Sequence, residues 1–230
     1  MSDPRVQMVA DGYDRMADTF AEWCDRIEGD PRADWCEELT SRLPDGARVL
    51  ELGCGAGNTA ETQELARRFR LTGVDVSGEQ IRRARANVSG AELVQADFLE
   101  LDLPAESFDA ECSFYVFNHV PRELLAPLLT RIHGWLAPSA GSVVGKADDA
   151  RPEDRTPAAP GGWLLAAFGA SDLEGWTGEW LGAETFFSGF PPEVNSQLVR
   201  DAGLTIERDE VVEFVEPEGP VQFQWVLAQA

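Results

Sequence analysis

Basic residues are scarce in this chain. Against 41 aspartates and glutamates it carries 19 lysines and arginines, of which one is a lysine, Lys146, and the formal net charge is −22. Such a surface repels phosphate backbones, so nucleic acid is not expected as a partner. Long apolar runs are missing too. No stretch of 18 uninterrupted apolar residues occurs, and no membrane span is expected. The opening "MSDPRVQMVADGYD" lacks a basic segment followed by an apolar one, so no signal peptide is read and a cytoplasmic location is expected. Cys24, Cys36, Cys54 and Cys112 form no CxxC pair, and with 2 histidines there is no Cys/His cluster at metal spacing. No metal is expected, and the cysteines read as small buried hydrophobes in a reducing compartment. What remains is 230 residues, 43% of them hydrophobic, enough for the core of one domain. The acid excess with lysine depletion looks like adaptation to a high-salt cytosol, where a short Debye length, about 3 Å at 1 M, removes most self-repulsion.

Val6, Val9, Tyr13, Met16, Phe20, Trp23 and Ile27 recur at helical spacing, which predicts a helical stripe with a break near Gly12, since glycine costs a helix about 1 kcal/mol. A second helix is expected over 31–42, and together 1–43 form a helical cap. From Arg48 the pattern alternates. "RVLELG", "RLTGVDV", "AELVQA" and "FDAECSFYVF" read as strands; "NTAETQELARRF", "SGEQIRRARANV" and "PRELLAPLLTRIHGWL" read as helices. This rhythm predicts a parallel sheet with helices on both faces. The stretch 139–160 is rich in proline and acid and is expected to be a flexible insertion. The fifth strand is therefore placed at about 163–168, in preference to "SVVG" at 142–145. A helix over 192–203 and a hairpin of "LTIERDEVVEFVE" and "VQFQWVLAQ" close the chain, with Val221, Phe223, Trp225 and Leu227 on one face. The core of one domain thus spans 44–138 and 161–230.

"VLELGCGAGNTAE" sets three glycines, Gly53, Gly55 and Gly57, between the first strand and the helix after it. A glycine bend there lets a ligand touch the backbone, and the helix N-terminus favours an anion. A dinucleotide fingerprint, G-x-G-x-x-G, would need glycine where Asn58 stands, so the nicotinamide or flavin alternative fits poorly.

The pattern E-x-G-x-G-x-G, followed by "LTGVDVS", "VQADFLELDLP" and "FDAECSFYVFNHVP", resembles class I S-adenosylmethionine-dependent methyltransferases over about residues 6–229, the insertion excepted. Within them it is similar to the small-molecule group that includes quinone-biosynthesis enzymes. The resemblance implies a Rossmann-like, doubly wound sheet of seven strands, mostly parallel with an antiparallel C-terminal hairpin. It implies S-adenosylmethionine as cofactor, methyl transfer to a small organic acceptor by direct displacement, and a non-catalytic cofactor-binding protein as the further alternative. The implied cofactor contacts are Glu51 and the loop Gly53, Cys54, Gly55, Gly57 and Asn58 at the methionine end. Asp75 would serve the ribose hydroxyls, beside Val76. Asp97 would serve the adenine amino group and Phe98 the ring face. Phe114 would meet the methionine portion, and Tyr13 would close over it. Asp97 could instead close an Asx turn, and Phe98, Phe114 and Tyr13 could simply pack. His119, in "FNHVPRE", is the candidate general base, with a structural histidine as its alternative. Trp176, Trp180, Phe186 and Phe187, with Glu179 and Ser188 as polar handles, would wall an acceptor pocket. The sequence leaves monomer and homodimer both open.

Overall fold

The computed structural model describes residues 3–138 and 161–230. The proposed insertion at 139–160, and the rival strand within it, lie outside them. Helix α1 (Pro4–Arg15), α2 (Ala17–Cys24) and α3 (Arg32–Ser41) precede β1 (Arg48–Leu52), α4 (Ala60–Arg68), β2 (Arg70–Asp75), α5 (Gly78–Asn87), β3 (Glu92–Gln95) and β4 (Ala110–Ser113). A 3₁₀ turn at Phe117–His119 leads into α6 (Arg122–Trp135), followed by β5 (Trp163–Gly169), β6 (Leu173–Trp180), β7 (Ala183–Gly189), α7 (Pro192–Asp201), β8 (Thr205–Glu216) and β9 (Gly219–Gln229).

Seven strands form one sheet in the order β3-β2-β1-β4-β5-β9-β8. The first five are parallel, and β9 joins β5 and β8 antiparallel. Alternation along each strand splits the core in two. Leu50, Leu164 and Val226 pack with Leu128, Leu129 and Ile132 of α6 on one face, while Val49, Leu165 and Trp225 pack with Trp35, Leu39 and Leu65 on the other. The connections leave β1 in one direction and β4 in the other. The crevice past the carboxyl ends of β1 and β4 is therefore the point where open α/β sheets bind ligands.

The chain over 173–189 departs from this rhythm. It forms a separate two-stranded sheet, β6 and β7, closed by Leu181 and Gly182, both in left-handed conformation, as a two-residue hairpin requires. It lies against α1, and this contact corrects the expected break at Gly12. The helix runs through Gly12 and interrupts at Met16 instead. Gly12 is needed for close approach: a Cβ there would stand 2.6 Å from the Glu184 carbonyl oxygen. Gly12→Ala should therefore cost about 1–3 kcal/mol, read as a lowered Tm; an unchanged Tm would mean that α1 and β7 are further apart in solution.

Two glutamates are buried on strands of the sheet, Glu51 on β1 and Glu111 on β4. Glu111 on β4 accepts from Ser113 Oγ, while its Oε2 is buried without a partner. Burial above all, and the Glu51 charge in addition, push its carboxyl up to about 8. The neutral acid is thus favoured in the fold. Its contribution is complete below the unfolded value near 4.3 and is lost as pH rises through about 8. Glu111→Gln keeps a neutral group of the same shape. Thermal denaturation followed by circular dichroism should show the variant gaining stability over wild type as pH climbs from about 5 to 9, and parallel curves would contradict this.

Candidate active site

A cavity of about 830 Å³ opens in that crevice. On the glycine-loop side it is bordered by Glu51, Gly53–Ala56, Asn58, Asp75, Val76 and Phe98; toward β6 and β7 by Tyr13, His119, Trp180 and Phe187. Glu51 and Asp75 therefore meet at one cavity.

The three glycines do three different jobs. At Gly53 a Cβ would strike Val116 Cγ2 at 2.6 Å. Gly55, with φ of 53°, borders the cavity, and its N–H donates to Asp75 Oδ2 at 2.9 Å. Gly57 is not part of the wall; a Cβ there would meet Val88 Cγ2 at 2.4 Å, so its bareness seats α5. Only the first two of the sequence-expected glycines border the cavity.

Asp75 also accepts from the Ser77 N–H at 2.8 Å. Burial nevertheless outweighs these bonds and pushes its carboxyl up to about 6. Glu51 accepts from Thr62 Oγ1 at 2.8 Å, while Oε2 is buried without a partner. Burial pushes it up to about 7. A positively charged group against Oε2 would satisfy that oxygen and restore the ionised form.

His119 is buried. Its Nδ1 lies 2.8 Å from the Phe186 carbonyl oxygen and its Nε2 2.9 Å from the Tyr13 hydroxyl. A carbonyl only accepts, so Nδ1 carries the ring proton and Nε2 accepts from Tyr13. Burial holds the imidazolium form down, at about 4, and raises the Tyr13 phenol. Tyr13 is held in place by its neighbour: Asp14 accepts from Ser77 Oγ at 2.5 Å and from the Glu79 N–H at 2.9 Å, tying α1 to the start of α5 beside Asp75.

Several expected residues stand elsewhere. Asp97 is outside the wall, and its Oδ1 accepts from the Leu99 N–H at 2.9 Å, an Asx turn. Phe186 points the opposite way from Phe187 along β7; it is buried with the Arg5 guanidinium 5.4 Å from its ring. Trp176 is 41% exposed and stands outside the cavity with its ring 5.9 Å from that of Phe187. Glu179 is not in the wall, whereas Ser188 is, its hydroxyl donating to the Val120 carbonyl at 2.5 Å. Phe114 does border the cavity.

The structure adds wall residues that sequence reading missed. Phe20 and Trp23 belong to the helical stripe and read there as core. Arg32, just past a proline and in no motif, is the one Lys or Arg of the wall among the described residues. It pairs with Asp30 at 3.3 Å and stacks over Phe114 and Tyr115, and its Nε is buried without a partner. Glu216 and Phe214 arrive from β8. Only tertiary contact brings them near: the Trp23 indole N–H donates to Glu218 at 2.8 Å, and Glu28 pairs with Val215.

The methyltransferase domain family matches residues 49–139. The 27-O-demethylrifamycin SV methyltransferase of Amycolatopsis mediterranei is 30% identical over 141 residues, 53% of this chain and 52% of that protein. The trans-aconitate 2-methyltransferase of Rhodopseudomonas palustris is 33% identical over 139 residues, 58% of this chain and 52% of that protein. The chain thus spans about half the length of these curated relatives. The fold is shared with the 1,6-didemethyltoxoflavin-N1-methyltransferase of Burkholderia thailandensis, solved with 1,6-didemethyltoxoflavin and S-adenosylhomocysteine bound. The TM-score there is 0.61 at 19% identity, over 100% of this chain and 91% of that one. No helix among the described residues is long and apolar enough to cross a membrane. Residues 49–139, the glycine loop included, thus match the methyltransferase domain family, and the chain shares its fold with a solved methyltransferase.

Proposed function

We propose that the chain binds S-adenosylmethionine in this cavity and methylates a small organic acceptor. One observation carries the reading: two carboxyl groups near the ends of adjacent strands, the buried Glu51 and the half-buried Asp75, border the same cavity as the bare backbone of Gly55. When bound, S-adenosylmethionine supplies an electrophilic methyl group on a sulfonium.

The residues suit such a molecule. Glu51 Oε2, buried and unpartnered, would take the ammonium of its amino-acid end. Arg32, with its own unpartnered Nε, would take the carboxylate. Each Asp75 oxygen keeps a lone pair beyond its backbone bond and would accept from the ribose hydroxyls. Phe98 would cover the base. We leave Asp97 out of the set because its carboxylate closes the turn at Leu99. The main task left to the protein is alignment with water excluded, which reaches about 7–11 kcal/mol in the best systems. Tyr13 and His119 hold a hydroxyl at the acceptor side. For an acceptor that must lose a proton, Tyr13 oxygen would receive it as its own proton passes to His119 Nε2. The low basicity of that buried imidazole makes positioning its larger role. The surplus of carboxylates supports a salt-adapted, cytoplasmic enzyme.

Calorimetry tests the assignment. S-adenosylhomocysteine should bind in about the micromolar range and NADH not at all; the reverse would sink the proposal. Asp75→Ala should weaken binding about tenfold or more. Because Glu51 is pushed up to about 7 and must ionise to meet an ammonium, affinity should rise with pH across that value, and Glu51→Gln should flatten the dependence. For the hydroxyl pair, nitrogen NMR of the 2 histidines should find His119 neutral and protonated on Nδ1 at about pH 5. Tyr13→Phe, which uncaps Nε2, should raise its titration point. A His119 that titrates near the usual 6.5 in the unaltered chain would mean that the pair is open in solution.

A further inference from the structure

Resting on the reading above, the inference concerns what the acceptor is. Five rings wall the cavity away from the glycine loop: Tyr13, Phe20, Trp23, Trp180 and Phe187. They form one connected group. Tyr13 and Phe20 meet edge to face at 5.0 Å, Trp23 and Trp180 at 5.1 Å, and Trp180 and Phe187 at 5.6 Å between ring centres. They come from three separate elements, α1, α2 and the β6–β7 hairpin, and the polar ring facing them, His119, has both nitrogens engaged.

The carboxylates that act on the Tyr13 ring are Asp75 and Glu216. Glu216 borders the cavity from the end of β8, next to Val215, which pairs with Glu28, and two residues before Glu218, which accepts from the Trp23 indole. Burial and the nearby Glu218 and Asp30 charges push its carboxyl up to about 7, the response of an acid short of a cation. The one arginine of the wall among the described residues is paired to Asp30 and stacked on Phe114 and Tyr115 rather than on any of the five rings. An anionic acceptor would find no partner among them. Aromatic faces in such a group attract cations, most strongly where water is displaced.

We propose that the acceptor is an amine, and that the faces of Tyr13, Phe20, Trp23, Trp180 and Phe187, with Glu216 as counter-charge, hold its nitrogen as positive charge develops there. The balance favours this class. A tertiary amine gives up its proton to solvent on entering and leaves as a quaternary ammonium; its freed lone pair becomes the new nitrogen–carbon bond, sulfur keeps the pair of the broken bond, and no proton moves in the transfer itself. Positive charge is thus carried toward the rings during the reaction, so they stabilise the transition state more than the ground state.

The test uses the full chain in calorimetry at fixed ionic strength, with and without S-adenosylhomocysteine. The probes are choline, the uncharged alcohol in which carbon replaces its nitrogen, and a carboxylate of the same size. Choline should bind at least about tenfold more tightly than the other two. Trp180→Leu should erase that preference and Trp180→Phe should keep part of it. Trp176→Leu, outside the cavity, should leave it unchanged. Equal binding of choline and its uncharged analogue, tighter binding of the carboxylate, or no choline binding by a chain that does bind S-adenosylhomocysteine would overturn the amine assignment and leave the methyltransferase reading standing. A choline preference in a chain that ignores S-adenosylhomocysteine would do the reverse.

Discussion

Asp75 accepts two backbone N–H groups, one from Gly55 and one from Ser77, and much of the molecule is arranged around that carboxylate. The first bond reaches across to the glycine bend after β1, the second stays at the start of α5. Together they join two strand ends into one rim of the crevice. Ser77 extends the arrangement: its hydroxyl accepts from the Gln80 N–H to cap α5 and donates to Asp14, bringing the N-terminal helices over the cavity. Even half-buried, a carboxylate drawn partly out of water is costly alone. Backbone donors offset part of that cost, and a ligand with hydroxyls to donate would offset more.

The second carboxyl, Glu51, is held more loosely, with one oxygen on Thr62 and the other unsatisfied. An unpaired buried acceptor is uncommon in a settled core and intelligible in a binding site. Glu111, one strand over, looks similar in chemistry but points to the α6 face, away from the cavity. The difference is a single step of the strand: Glu51 stands opposite Cys112, and Glu111 opposite Leu50. Neighbours in register share a face, so adjacent positions on β4 send one side chain toward α3 and α4 and the next toward α6. Two buried acids a few ångströms apart in the sheet thereby acquire unrelated roles.

Much of this was legible beforehand. The alternating elements and a strand beginning at Trp163 followed from period, while the seven-stranded sheet and the roles of Glu51 and Asp75 were what the resemblance implied. The errors have local causes. Gly12 was read as a helix breaker because propensity knows nothing of β7, whose backbone occupies the space a side chain would need. Gly57 was grouped with its neighbours as a ligand contact, although its missing side chain makes room for Val88. Phe186 and Phe187 were taken together, although a strand sends consecutive residues to opposite sides. Asp97 kept its alternative, the Asx turn, because the turn is a purely local arrangement that sequence can suggest as readily as ligation.

Determined by the sequence alone were the fold class and the place of the carboxyl-end crevice beside the glycine bend, because these depend on short-range pattern: strand period and a bare bend between strand and helix. The tertiary structure decided the other wall. Tyr13, Phe20 and Trp23 come from the N-terminal helices, Trp180 and Phe187 from a hairpin whose turn carries no Asn-Gly or Asp-Gly signal, and Glu216 from the edge strand of the sheet. No spacing relates them, since their meeting depends on how α1 and α2 lie across the crevice, and that is set by contacts between residues up to 195 positions apart.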